Sequence, residues 1–112
     1  MSRLLTLEGV TLDQREQTLF LEGDLTMHAA ARVAAAGVDW LEREAPSQAA
    51  FDFTGIKSAT SVALSVLLEW LRTCRARAII VSRIELSEPL TRLATLAELD
   101  ELIAHPGQTH AG

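Results

Sequence analysis

The chain has 112 residues, 48% hydrophobic and 22% charged, enough to bury one core and too few for two. Its formal net charge is −5 with a pI near 5.1, and polyanion binders present a basic face that releases counterions, so nucleic acid is excluded as an expected partner. The segment Met1 to Glu8 lacks the apolar core of a signal peptide, and no run approaches the roughly eighteen apolar residues that span a bilayer, so a soluble, cytoplasmic protein is expected.

In chain order, Leu4 to Val10 is a weak strand candidate, and Gln17 to Leu25 a clearer one that stops at the Gly23-Asp24 break. The polar Asp13-Gln14-Arg15-Glu16 between them predicts a hairpin turn, so two antiparallel strands open the chain. Met27 to Glu44 is Ala-rich, with Val33, Gly37 and Leu41 on one stripe and Ala30, Ala34 and Val38 on the next. That spacing predicts a helix with one buried face, capped by Thr26 and stopped by Pro46, in which Gly37 allows close packing on a sheet. Ala49 to Ile56 follows as a central strand.

Ser61 to Arg75 is the strongest helix, with Leu64, Leu67, Leu68 and Leu71 at i, i+3, i+4 and i+7 and Val62, Val66 and Trp70 widening the apolar surface. Cys74 lies at its end; a single cysteine without metal spacing is a packed thiol, not half of a disulfide. Ala78 to Val81 reads as a buried strand, and Ser87-Glu88-Pro89 opens a last helix through Leu90, Leu93, Ala94 and Ala97. The order predicts an α/β fold: one domain over 1–104, with a small mixed sheet whose first hairpin is antiparallel and later strands parallel, helices packed on it, and a loose tail over 105–112.

Catalytic chemistry finds little purchase here. The only lysine is Lys57 and no phosphate-cradling loop surrounds it, which excludes a P-loop ATPase. His28, His105 and His110 are too scattered for a metal site or a Ser-His-Asp set, so neither an enzyme nor a bound cofactor or metal is expected.

Attention falls on the handover from strand to helix between Asp52 and Ser61, since sites in open α/β sheets collect at the carboxyl ends of parallel strands. Ser58 or Thr60 can cap the helix, while Ser61 in its first turn can face solvent and carry a phosphate against the helix dipole. Asp52 either serves the strand end or the helix N-terminus, or positions Ser61 or a partner's donor. Arg72, Arg75, Arg77 and Arg83 form the one basic concentration, a solvated face near a helix C-terminus or a docking patch.

The second-strand ending Leu21-Glu22-Gly23-Asp24-Leu25, the strand Phe51 to Ile56 and the segment Thr60-Ser61-Val62-Ala63-Leu64 resemble the STAS domain family, over about Thr18 to Ile103. In its anti-sigma-factor antagonists the last segment looks like Asp-Ser-x-Gly-Leu, with the serine phosphorylated; that serine falls on Ser61, but Thr60 replaces the acid and Ala63 the glycine. The helix Val66 to Arg72 and the ending Leu93 to Leu99 are more similar to the MlaB group, whose members serve phospholipid-transporting ABC systems that maintain outer-membrane lipid asymmetry. That resemblance implies a non-catalytic subunit docking on an ABC transporter ATPase, held by this partner at the inner face of the inner membrane, through the surface around the start of the second main helix, with Asp52, Lys57, Ser58, Thr60 and Ser61 as its expected site residues. The antagonist resemblance implies instead an anti-sigma factor with serine kinase activity as partner, and a small-molecule-binding domain is the third reading.

Overall fold

The computed structural model describes residues 2–104. Nine elements follow in order: β1 (Ser2–Leu7), β2 (Val10–Arg15), β3 (Thr18–Gly23), α1 (Met27–Glu44), β4 (Gln48–Ile56), α2 (Ser61–Ala76), β5 (Ile80–Leu86), α3 (Glu88–Leu96) and α4 (Asp100–Ala104). The five strands lie in the sheet in the order they occur in the chain. β1, β2 and β3 form an antiparallel meander, and β3, β4 and β5 run parallel. The expected mixed sheet with helices packed on it is the fold observed; the tail expected from His105 onward lies outside the described residues.

The opening differs from the sequence reading. Three strands stand where two were expected, because Asp13, Gln14 and Arg15 belong to β2 and the turn is the two-residue Glu16-Gln17. Asp13 is buried at 3% exposure, a position that a carboxylate tolerates because Arg3, directly across on β1, donates to it from Nε at 2.6 Å and Nη2 at 3.4 Å. A satisfied ion pair thus hides a strand behind polar residues.

The two long helices match their predicted spans to within one residue. α1 is capped as expected, with the Thr26 hydroxyl accepting from the Ala29 N–H at 3.2 Å. Gly37, however, faces α2 and not the sheet: a Cβ there would collide with the indole of Trp70. The fully buried Trp70 donates from Nε1 to the Ala34 carbonyl at 3.1 Å and packs on Phe51 and Phe53 of β4, with ring centroids 5.4 and 5.5 Å away. One side chain therefore ties α2 to both α1 and the central strand. Val10, Leu12, Leu19, Leu21, Leu41, Ile56 and Leu67 complete the core on this face.

After α2 the sequence reading placed a strand at Ala78 to Val81, but Ala78 and Ile79 instead close the helix. Ala78 takes a left-handed φ of 57°, and the Ile79 N–H reaches back to the Cys74 carbonyl at 2.8 Å while its side chain is buried. This is a Schellman ending, in which an apolar residue past the helix packs back on it. β5 begins at Ile80 and runs on to Leu86, its polar Ser82, Arg83 and Glu85 being exposed. α3 ends in the same motif: Glu98 has φ 61°, its N–H meets the Thr95 carbonyl at 3.0 Å and that of Leu99 the Ala94 carbonyl at 2.8 Å. The chain then turns into α4, which sequence periodicity did not separate from α3.

Candidate functional site

Because β3, β4 and β5 are parallel and each leads into a helix, the N-termini of α1, α2 and α3 gather at one edge of the sheet. The loop from β3 approaches closely there. Gly23, at φ 109°, lies against the Gly9 carbonyl, which accepts from the Asp24 N–H at 2.7 Å; a Cβ on Gly23 would strike it. Asp24 is thereby held beside the β4–α2 loop, where Ser58 Oγ donates to Asp24 Oδ1 at 3.4 Å. Sequence reasoning missed Asp24 in this role, although the Gly23-Asp24 break marked its place.

Thr60 is the helix cap. Its backbone is extended at φ −120° and ψ 128°, and its hydroxyl accepts from the Val62 N–H at 3.1 Å. With that task taken, Ser61 is left exposed in the first turn, and its carbonyl accepts from Ser65 Oγ at 3.1 Å. Lys57, Ser58 and Ala59 are likewise exposed, so four of the five residues expected at the site, Lys57, Ser58, Thr60 and Ser61, lie together on one surface.

Asp52 does not join them. The strand alternation that turns Phe51 and Phe53 onto Trp70 turns Asp52 to the opposite sheet face, where it pairs in register with Phe20 and Glu85. Its Oδ1 accepts from the Thr54 N–H at 2.9 Å and the Thr54 hydroxyl at 2.6 Å, a local structural use.

Two apolar features extend the Ser61 surface. Met27, the first residue of α1, is 80% exposed at the same edge. A shallow groove of about 510 Å³ lies between α1 and α2, lined by Ala30, Ala34, Val38, Ser65, Val66 and Glu69 among others. No periodicity argument finds Met27, because one exposed methionine at a helix start carries no pattern.

The arginine concentration is largely neutralised within the molecule. Arg72 pairs with Glu69, Arg77 with Glu42 of α1 at 3.1 Å, and Arg83 with Glu85 at 3.2 Å. Cys74 is buried, and desolvation pushes its thiol from 9.0 up to about 12, so it is a packed thiol and not a nucleophile. Among the described residues no cluster of histidine, cysteine and carboxylate side chains could hold a metal, and no helix is long and apolar enough to cross a membrane.

The edge offers hydroxyls, one lysine and apolar side chains around a rigid helix end, which is the equipment of a contact surface. No curated protein matches the sequence. The family model described as "Mlab, STAS domain" matches residues 8–104, nearly the whole described chain, and the protein belongs to the STAS domain family.

Proposed function

We propose that this chain is a non-catalytic accessory subunit that binds and supports the ATPase of a phospholipid-transporting, Mla-type ABC transporter, one that maintains outer-membrane lipid asymmetry. The observation that carries the reading is the match of residues 8–104 to a family model bearing the MlaB description. The docking surface is the α2 end: Lys57, Ser58 and Ser61 exposed, Thr60 capping beneath them, and Met27 alongside. An interface core forms where such apolar and hydroxyl groups desolvate around a rigid centre. Thr60 also stands at the position where signalling relatives carry the acid that accompanies a phosphoacceptor.

Co-expression with the ATPase encoded beside it tests the reading: the two co-purify, and Ser61→Trp abolishes the complex. A controlled pull-down that recovers only a serine kinase overturns it. The exposure of Ser61 at a helix start favours one second reading, an anti-sigma-factor antagonist switched by phosphorylation. That reading requires phosphate transfer from ATP to Ser61 by a partner kinase, lost in Ser61→Ala.

A further inference from the structure

A second contact surface lies away from the α2 end, along the free edge of the sheet. β5 is the last strand and has β4 as its one neighbour. Among the described residues, the backbone groups on its outer side receive no bond from another element. Past a bulge at Ser82 the strand runs regularly from Arg83 to Leu86, and the unpaired outer rim of that stretch is a template for a further strand.

What distinguishes this edge is the pocket beside it. A cavity of about 380 Å³ opens between β5 and the α3–α4 corner, floored by Ile84, Leu86, Ala94 and Ile103 and flanked by Thr91 and Thr95. Three successive residues of β5, Ser82, Arg83 and Ile84, line it at the bulge, where the alternation of faces is interrupted. The opposite edge, β1, has a cavity of about 450 Å³ with mostly polar and charged walls, including Gln14, Glu16, Arg43 and Glu44. Both edge strands carry one bulge, at Leu4 in β1 and at Ser82 in β5, and among the described residues the β5 edge is the one with an apolar pocket beside it.

Charge selects the occupant. From Ser82 to Ala104 the chain carries Arg83 and Arg92 against Glu85, Glu88, Glu98, Asp100 and Glu101. Both arginines are already engaged, Arg83 with Glu85 at 3.2 Å and Arg92 with Glu88 at 2.9 Å. Glu98, Asp100 and Glu101 make no ion pair among the described residues, and Asp100 lines the pocket itself. The α3–α4 corner therefore carries three acids without an ion pair among the described residues, one of them, Asp100, at the pocket itself.

We propose that the groove between β5 and the α3–α4 corner accepts an extended basic segment of a protein partner, added to the sheet as a strand with an apolar side chain in the pocket. Main-chain hydrogen bonds to β5 supply affinity, and the pocket and the acids select sequence. A second copy of this chain is disfavoured as occupant, since its matching edge brings the same three acids. The surface is separate from the α2 end, so it stands whether or not that end docks an ATPase.

The test is titration of the isotopically labelled full chain with a blocked octapeptide of alternating valine and threonine flanked by two arginines at each end, up to about 1 mM. Binding shifts and slows the exchange of β5 amides. Asp100→Lys with Glu101→Lys weakens it by at least about tenfold at low salt, and Thr95→Trp, which fills the groove from an exposed position, abolishes it while unfolding stays two-state. A control peptide with proline in place of valine cannot add as a strand and fails to bind. Equal binding of the proline peptide, shifts confined to the first turn of α2, no shifts at all, or concentration-dependent self-association through β5 would each overturn the proposal.

Discussion

Thr60 and Ser87 both precede a helix, yet their hydroxyls differ in what they touch. Thr60 accepts from the Val62 N–H, so Thr60→Ala should cost about 1 kcal/mol in urea unfolding. Ser87 makes no side-chain cap bond, and its Oγ is buried with no partner among the described residues. Ser87→Ala should therefore leave stability unchanged or raise it, against the general rule for caps; a loss as large as that of Thr60→Ala would show a hidden partner. Cys74 gives a pH signature. Its thiol is raised from 9.0 to about 12 by burial, so the folded state keeps a proton that the unfolded chain releases. That contribution is whole below pH 9 and is lost as pH rises from 9 towards 12, and urea midpoints of wild type and Cys74→Ala should converge over that range.

At the scale of elements, two joints carry the architecture. Gly37 receives the Trp70 indole, and Gly37→Ala should destabilise by about 2 kcal/mol, overpacking at the α1–α2 joint outweighing the helix propensity gained. Ala78 holds a left-handed conformation that glycine adopts without strain, so Ala78→Gly should stabilise by about 0.5 to 1 kcal/mol, read as a raised melting temperature. These joints also explain what sequence reveals. α1 and α2 were legible because their apolar stripes follow helical periodicity. β2 was not, because its Asp13 depends on Arg3, ten residues away, and pairing at that range leaves no local pattern. Ile79 looked like a strand residue because burial against a helix end and burial in a sheet demand the same apolar side chain. At the site, the hydroxyls were legible from their place at a helix start. Asp52 misled because its sheet face is fixed by Phe51 and Phe53 packing on Trp70, a contact with another element.

For the molecule as a whole, the core and the proposed docking surface are separated in space. Trp70, Phe51 and Phe53 are fully buried, whereas Ser61 and Met27 are exposed at the edge. Ser61→Asp should accordingly shift unfolding by under about 0.5 kcal/mol while it abolishes co-purification with a partner that docks on the α2 end. A variant that loses both together would place Ser61 in the core's support and not in its contact surface. The sheet order has a kinetic consequence as well. Since each strand pairs with the one synthesised just before it, every closure spans a tight turn or a single helix, and no pairing waits for a distant segment. The meander can assemble first and β4 and β5 join it in turn, so folding can advance in step with translation, each arriving strand covering the edge its predecessor exposed.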